Sequence, residues 1–444
     1  MNDFHTARQN GGSLGVDRRG FLRRSVAAIG GAAAMPLAGP AERADDAVGG
    51  LVADIEREVV FHGRKTRTTW FHPRPCMVPA SDGVEALMTL QTIGGSDYFG
   101  PVHYTISRDG ARSWSEPQPI PGLGRRKLDA GYEVGVCDVV PEYHQPTQTV
   151  LAIGHNVYYR NGRLARPQRA RWPVYVVRSA DGTWSAPRRL KWDDLGGSAI
   201  YTCGCAQRVT LEGGDLLVPL SFAPQGRTHR SVATVRCAFD GQQLVVRKVG
   251  AELIGTAGRG LLEPSLAALD RRFYMTIRAE DNRGYVTVSD DALTWEPRRP
   301  WAWEDGEPLT MSTTQQRWLV HSDSLLLVYT RKAEDNVNVF RWRSPLLMAE
   351  VDRRTLRLIR ATERVVFPLV GDGVEDPDHV ARMGNFHTVA ATPAQSWVTV
   401  GETLPNDGWA GNTLLARVCW SRANRLAPLA LAQHRLGRRR AWWA

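Results

Sequence analysis

One stretch, Ser107-Arg-Asp109-Gly-Ala-Arg-Ser113-Trp114, decides the fold because shorter versions of it recur at 179–184 and 289–295. Each copy has a serine, an aspartate two residues later, a Ser-Trp or Thr-Trp pair, and a proline shortly after. In a tight turn such an aspartate accepts hydrogen bonds from backbone N–H groups, and the tryptophan fills the gap between neighbouring sheets. The pattern therefore predicts three hairpin tips of one repeated structural unit.

Short runs typical of β-strands separate these turns, and no long amphipathic helix stands out. The clearest runs are 85–91, 150–154, 216–221, 273–277 and 325–329. The three turns begin 72 and 110 residues apart, which fits blades of about 55 to 60 residues, the longer interval spanning two blades. The turns resemble the Asp boxes (BNR repeats) of sialidase-like β-propellers. That resemblance implies an all-β, six-bladed β-propeller with four antiparallel strands in each blade, filling residues 58–425.

The composition excludes several classes of protein. With 15 Trp, 11 Tyr and 11 Phe in 444 residues, the chain has too many aromatic residues for a disordered protein. No uninterrupted apolar run reaches about 18 residues, so a bundle of membrane spans is excluded. The net charge is +10 and the chain has five lysines among its 56 basic residues. These charges are dispersed rather than gathered in a stripe, so no nucleic-acid partner is predicted.

The N-terminal residues resemble an export signal. Paired Arg18 and Arg19 precede Phe21-Leu22 and a mild apolar run at 25–38, as in leaders read by the twin-arginine (Tat) export machinery. We therefore expect residues 1–45 to be a leader and linker, 46–430 the propeller, and 431–444 a basic tail. The expected location is the periplasm or the medium, with an uncleaved membrane tether as the alternative.

Neither a metal nor a cofactor is predicted. The pair Cys203-Gly-Cys205 looks like a metal or redox motif, but no second cysteine pair accompanies it. On a strand, residues two apart share a face about 7 Å from each other, which is marginal for a disulfide. Buried, structurally inert cysteines are the favoured interpretation.

Other motifs resemble those that carry function in sialidases. Phe71-His-Pro-Arg74 resembles the family's Arg-Ile-Pro motif, which implies that Arg74 is one of three arginines that bind the carboxylate of the sugar. The order of Glu263, Arg278 and the turn at 289–295 is similar to the family's order of glutamate, second arginine and Asp box. Gly95-Ser-Asp97 is similar to the stretch that carries the acid/base aspartate. The resemblance therefore implies catalytic roles for Asp97 and Glu263.

The third arginine has two candidates, Arg343 and Arg341, which the pattern cannot separate. In a propeller the first strand of each blade lines the axial pocket, so polar residues that border predicted strands are further candidates. These are Asp138, His144, His155, Tyr201, Gln315, Asn385 and His387. Among them His144, His155 and His387 are the possible proton carriers, and an ordinary hydrogen-bonded histidine is the alternative for each.

One element of the sialidase pattern is missing. The family takes its nucleophilic tyrosine from the last blades, but Tyr329 is the final tyrosine of this chain. The comparable segment, 383–387, has none. Either Tyr201, Tyr285 or another earlier tyrosine substitutes, or Glu263 acts directly, or the chemistry differs.

Three functions remain open at this point. The first is an exported exo-glycosidase, a sialidase-like hydrolase that acts on a glycan with a carboxylate-bearing sugar. The second is a polysaccharide lyase that uses histidine and tyrosine to remove a proton beside a uronate. The third is a propeller that binds a glycan or a protein without catalysis. Clustered arginines with Glu263 and Asp97 favour catalysis, and the missing tyrosine favours the alternatives.

Overall fold

A computed structural model describes residues 50–80, 83–192, 198–202, 206–224 and 226–427. The chain divides into two units, Met1–Ala47 and Val48–Ala444, and every described residue belongs to the second. The predicted leader, the tail and the Cys203–Cys205 pair lie outside the described residues. No helix in the described ranges has the length and apolar character needed to cross a membrane.

The described unit is built from six antiparallel sheets, and its only α-helix among the described residues is the four-residue α1. The elements before and within the first two sheets are β1 (Val52–Phe61), α1 (Gly63–Thr66), β2 (Trp70–Ala80), β3 (Gly83–Gly95), β4 (Tyr98–Ser107), β5 (Gln118–Pro119), β6 (Arg126–Lys127), β7 (Tyr132–His144), β8 (Thr149–Arg160), β9 (Arg163–Leu164), β10 (Pro173–Arg178) and β11 (Arg188–Arg189). The third sheet contains β12 (Ser198–Thr202), β13 (Val209–Thr210), β14 (Leu216–Pro224), β15 (Ser231–Phe239), β16 (Leu244–Val249) and β17 (Leu253–Ile254).

The remaining sheets complete a ring of six blades. They contain β18 (Leu262–Leu269), β19 (Arg272–Arg278), β20 (Gly284–Ser289), β21 (Arg299–Pro300), β22 (Arg317–Val320), β23 (Leu325–Tyr329), β24 (Leu346–Asp352), β25 (Arg357–Leu358), β26 (Arg364–Phe367), β27 (Arg382–Met383), β28 (His387–Thr392), β29 (Gln395–Thr403) and β30 (Thr413–Trp420). Short 3-10 turns lie at Asp129–Gly131, Glu334–Asn336, Phe340–Trp342, Arg360–Thr362 and Pro377–His379. The predicted six-bladed, all-β propeller is confirmed.

The two ends of the propeller meet in blade 6. The first described strand, β1, pairs antiparallel with β30, the last described strand, so the segment before blade 1 supplies the outer strand of the final blade. The inner strands β2, β7, β18, β22 and β28 are the first strands of blades 1, 2, 4, 5 and 6. Strand β2 contacts both β7 and β28, which closes the ring. Blade 1 therefore lies between blades 6 and 2.

Neighbouring blades share cores and hydrogen bonds. Tyr274 of blade 4 is buried with Trp318 of blade 5. Across other junctions, a threonine on the second strand donates to a first-strand carbonyl of the next blade. One example is Thr89 Oγ1, which lies 2.7 Å from the carbonyl oxygen of Val139. Such bonds satisfy polar backbone groups that the ring buries.

The alternation of strand directions gives the ring two different faces. In each blade, the connection between the second and third strands lies at the end of the ring where the first strand begins. We name this end of the ring the site face. Turns between third and fourth strands lie at the other end, the turn face. The three motif turns follow β4, β10 and β20, so they all lie on the turn face.

The motif turns have the hydrogen bonds that their sequences predict. Asp109 Oδ1 accepts the N–H groups of Arg112 and Ser113, each at 3.0 Å. Hydrogen bonds from Ser113 and Ser107 hold the pKa of Asp109 below its ordinary value. The Trp114 ring packs at 6.4 Å from Trp397 of blade 6. The turn thus stabilises one edge of a blade and lies away from the site face.

Candidate functional site

Three inner strands carry the same distortion close to the propeller axis. His72 on β2, Asp138 on β7 and Glu263 on β18 have φ angles of 52°, 58° and 45°. Each lies at a break in the pairing register with the second strand of its blade. A non-glycine residue with positive φ costs of order 1–3 kcal/mol, and such strain is typical of functional sites. All three side chains contact polar partners from the group described below.

Arg74 and Asp138 form a buried ion pair across blades 1 and 2. The Nη2 atom of Arg74 lies 2.5 Å from Asp138 Oδ1, and Arg74 is 1% exposed. His72 Nδ1 lies 3.5 Å from the same oxygen, and Asn385 Nδ2 approaches it from blade 6 at 3.5 Å. The structure thus brings Arg74, Asp138 and Asn385 together, as a shared pocket requires. It adds His72, which the sequence reasoning did not select.

Glu263 and Arg278 form a second pair on blade 4. Arg278 Nη1 donates to Glu263 Oε1 at 2.8 Å, and Arg278 is 5% exposed. Glu263 Oε2 is buried and has no hydrogen-bond partner among the described residues. One carboxylate oxygen is therefore oriented by the arginine, whereas the other is enclosed without a hydrogen bond among the described residues. On the far side of Arg278, Glu280 accepts from the backbone N–H and side chain of Arg259.

Arg341 and Arg343 come from the connection between β23 and β24 of blade 5. Burial, together with the charges of Arg278 and Arg341, lowers the pKa of Arg343 to about 10. Burial and the charges of Arg278 and Arg259 also lower the pKa of Arg341, whose φ is 53°. Each guanidinium therefore lies within electrostatic reach of Arg278. Both candidates for the third arginine belong to the cluster, and the geometry does not exclude either.

Asp97 lies at the tip of the hairpin between β3 and β4, on the site face. It is exposed and has a φ of 54°. Its negative charge raises the pKa of Arg343, Arg341 and Arg171 against the larger effect of burial. The structure therefore brings the exposed carboxyl group of Asp97 to the edge of the arginine cluster.

A buried polar layer lies beside the two ion pairs. Gln315 donates through Nε2 to the backbone oxygen of Phe386, and Arg317 Nη1 lies 3.0 Å from Ser265 Oγ. His387 is 3% exposed, and its pKa lies well below the ordinary value because of burial and the charges of Arg317 and Arg74. We name the two ion pairs, Arg74–Asp138 and Arg278–Glu263, the axial group. Gln315 and His387 are close to this group but fully enclosed. From these enclosed positions Gln315 and His387 can stabilise the site, but they cannot contact a large ligand.

His144, one of the predicted pocket residues, lies elsewhere. His144 ends β7, six residues after Asp138, which corresponds to roughly 20 Å along a strand. Its ring nitrogens bind Thr147 Oγ1 and the carbonyl of Gly214, each at 2.8 Å, on the turn face. The structure therefore does not bring His144 to the axial group, because the strand carries it to the opposite end of the ring. Tyr201 packs at 5.0 Å from Trp192 in an aromatic cluster of blade 3.

Cys137, Asp138 and His155 are the described residues that could hold a metal ion, since their ligand atoms all lie within 4.8 Å of one another. The Sγ atom of Cys137 is 3.3 Å from His155 Nε2. However, Arg74 already binds the Asp138 carboxylate, and the guanidinium groups of Arg74 and Arg171 repel a cation. The electrostatics of this face therefore favour an anion over a cation.

The sequence reasoning missed four cationic or imidazole groups of the site face, namely His72, Arg171, Arg230 and Arg259. Arg171 and Arg230 precede the third strands of blades 2 and 3, as Asp97 does in blade 1. Their shared position, just before the third strand of a blade, is the signal that could have identified them. Without strand boundaries, they are indistinguishable from the many other arginines of the chain.

Buried histidines give the protein a testable dependence on pH. Burial lowers the pKa of both His72 and His155 to about 3. Because the unfolded chain binds more protons between that value and about 6.5, the free energy of unfolding decreases as the pH falls through this range. The expected slope is up to about 1.4 kcal/mol per pH unit for each histidine. Urea unfolding of the wild type at several pH values measures it.

A variant isolates this effect from that of other groups, such as Glu142, whose pKa burial raises. His155→Asn removes one titrating imidazole, so the slope of stability against pH is expected to decrease. His379→Asn is the control because His379 is exposed. A His155→Asn slope equal to that of the wild type would contradict the prediction.

Comparisons with known proteins support the fold. No protein-family model matches the chain, and no curated protein matches it significantly. Solved structures do match. The Trypanosoma rangeli sialidase in complex with sialic acid aligns with a TM-score of 0.55 and 14% identity, over 83% of this chain and 59% of that one. The Hadza microbial sialidase Hz136 aligns with a TM-score of 0.55 and 12% identity, over 81% of this chain and 68% of that one.

A third match carries no functional name. A protein of unknown function from Dyadobacter fermentans aligns with a TM-score of 0.57 and 13% identity, over 83% of this chain and 100% of that one. The chain thus spans about three-fifths of the length of the trypanosomal sialidase and all of the Dyadobacter protein. At these identities the similarity shows the fold alone, a six-bladed propeller that resembles those of the matched sialidases.

Proposed function

We propose that this protein is a glycoside hydrolase that acts on a glycan with a carboxylate-bearing sugar. The observation that carries the proposal is the arginine cluster of the site face. Arg278 pairs with Glu263 at 2.8 Å. The charges of Arg278, Glu263 and Asp97 all act on Arg341 and Arg343. Guanidinium groups bind carboxylates through paired, charge-assisted hydrogen bonds. The cluster is therefore suited to an acidic sugar.

The unequal pairing of the arginines supports this assignment. Arg278 has a carboxylate partner, whereas Arg341 and Arg343 have no carboxylate oxygen within 4.0 Å among the described residues. Their lowered pKa values show that burial and neighbouring positive charge destabilise the charged forms. A bound carboxylate would offset both costs. Binding an anionic sugar thus stabilises the site as well as the ligand.

The two carboxyl groups supply the chemistry. In this proposal Asp97 donates a proton to the oxygen that leaves when the glycosidic bond breaks. Glu263, which Arg278 orients through Oε1, accepts a proton from the attacking water. We propose activated water as the nucleophile, because the segment comparable to the one that carries the family's nucleophilic tyrosine, 383–387, has no tyrosine in this chain.

A panel of saccharides tests the proposal. The purified protein is incubated with sialyllactose and with uronate oligosaccharides, and with lactose as the uncharged control. We expect release of the acidic sugar, detected as free sialic acid or as new reducing ends, and no reaction with lactose. Formation of an unsaturated uronate that absorbs ultraviolet light would show that the protein is a lyase and not a hydrolase. Binding without turnover would leave a glycan-binding propeller, and no binding would overturn the glycan assignment.

A further inference from the structure

Several arginines of the site face have no carboxylate partner. Arg74, Arg278 and Arg259 are paired with Asp138, Glu263 and Glu280. In contrast, within the described ranges, Arg171, Arg230, Arg341 and Arg343 have no carboxylate oxygen within 4.0 Å. The face therefore has more positive charge than the carboxylate of one sugar neutralises.

Arg171 lies across the axis from the arginine cluster of Arg278, Arg341 and Arg343. Arg230 lies between the two, since the charges of Glu263 and Arg278 still act on it. Arg171 precedes β10 of blade 2, and Arg230 precedes β15 of blade 3, whereas Arg343 belongs to blade 5. In a ring of six blades, blades 2 and 5 are on opposite sides of the axis. Arg171 is therefore separated from Arg343 by the width of the axial pocket.

Backbone contacts bring Arg230 close to Arg259. Arg230 N donates to the Arg259 carbonyl at 2.7 Å, and Leu261 N donates to the Arg230 carbonyl at 2.9 Å. The Arg171 carbonyl accepts from Tyr201 N at 3.1 Å, which attaches the Arg171 segment to the first strand of blade 3. Arg171, Arg230 and Arg259 therefore come from adjacent segments of blades 2, 3 and 4.

These three guanidinium groups interact electrostatically. Burial and the charges of Arg171 and Arg259 lower the pKa of Arg230 to about 9. Burial also lowers the pKa of Arg171, although the charges of Cys137 and Asp138 act in the opposite direction. The Nε atom of Arg171 is buried without a hydrogen-bond partner among the described residues. A buried donor of this kind is costly unless a ligand satisfies it.

We propose that Arg171 and Arg230, beside the Glu280-paired Arg259, form a second anion subsite, so that the preferred glycan carries a further negative group beside its terminal acidic sugar. This inference rests on the proposed function and specifies its substrate class. The second group is the carboxylate of a neighbouring acidic sugar or a sulfate ester, since both present oxygen atoms to guanidinium donors. A substrate with two anions would thus contact both sides of the axis.

Three pairs of saccharides that differ by one anionic group test the subsite by calorimetry. The pairs are sialic acid and its linked dimer, galacturonic acid and its linked dimer, and sialyllactose with and without a sulfate on galactose. For the wild type we expect the second group to raise affinity roughly 10- to 100-fold in at least one pair. The pair that responds identifies a carboxylate or a sulfate as the second anion.

Variants assign the gain to these arginines. Arg230→Gln and, independently, Arg171→Gln are expected to reduce the ratio of affinities within the responding pair about tenfold. Arg236→Gln is the control because Arg236 lies on β15, half exposed, and pairs with Asp215 at 2.6 Å; it should retain the wild-type ratio. Equal affinities within every pair, or ratios unchanged in both variants, would overturn the second subsite alone. If none of the six saccharides binds, the proposed function fails and the subsite fails with it.

Discussion

Replacing Arg278 by alanine is expected to lower kcat/KM on an acidic glycan about 100- to 1,000-fold. Two consequences of the change combine. The substrate carboxylate loses a charge-assisted donor, and Glu263 loses the hydrogen bond of 2.8 Å that orients Oε1. Because Arg278 is almost fully buried, no other cation of comparable position can replace it in the cluster. Steady-state kinetics on the substrate found in the panel measures the loss.

Two further variants separate recognition from general charge effects. Arg278→Lys keeps the positive charge but not the planar fork, so we expect an intermediate loss of activity. Arg272→Ala removes an arginine from the same strand, β19, but from the turn face, where Arg272 pairs with Asp290 at 3.1 Å and with Glu296 at 3.0 Å. Arg272→Ala should retain activity. Wild-type kinetics for Arg278→Ala, in a protein that unfolds cooperatively, would contradict the role of the cluster.

Replacing Glu263 by glutamine is expected to lower kcat about 100- to 10,000-fold with a smaller change in KM. Glutamine keeps the size of the side chain and can still accept from Arg278 through its carbonyl oxygen. It cannot accept a proton from water at neutral pH, so the chemical step loses its base. A single-turnover assay beside the steady-state assay shows whether the loss lies in chemistry or in binding.

The matched control for Glu263→Gln is Glu296→Gln. Glu296 is a half-exposed glutamate of the same blade on the turn face, and it pairs with Arg272. Its replacement removes one negative charge without touching the axial group, so activity should be unchanged. A Glu263→Gln protein that keeps kcat but loses affinity would show that Glu263 binds the substrate and does not act as a base.

The resemblance to sialidases selected Arg74, Glu263 and Arg278, which the structure brings into ion pairs, and their roles stay a prediction. Arg74, Arg278, Glu263 and the region of Arg343 occur together because each lies at a defined point of a blade, and the motif spacing encodes that point. His144 was misplaced for a related reason. It borders a predicted strand, but its pocket assignment ignored the six residues that carry it to the other end of that strand.

Export through a leader in residues 1–45 stays a prediction, since those residues lie outside the described structure. The same is true of the Cys203–Cys205 pair. Neither bears on the axial arginines, whose positions depend on described strands of blades 1 to 5.

The repeated turns predicted the blade repeat, because their hydrogen bonds form within a few residues of sequence and their intervals of 72 and 110 residues correspond to one and two blades. Only the tertiary structure decided which arginines are paired and which are not. His72 and Asn385 are more than 300 residues apart, yet both approach Asp138 once β1 and β30 close the ring. Charge balance at an axis depends on distances across the ring, and local sequence patterns contain no information about those distances.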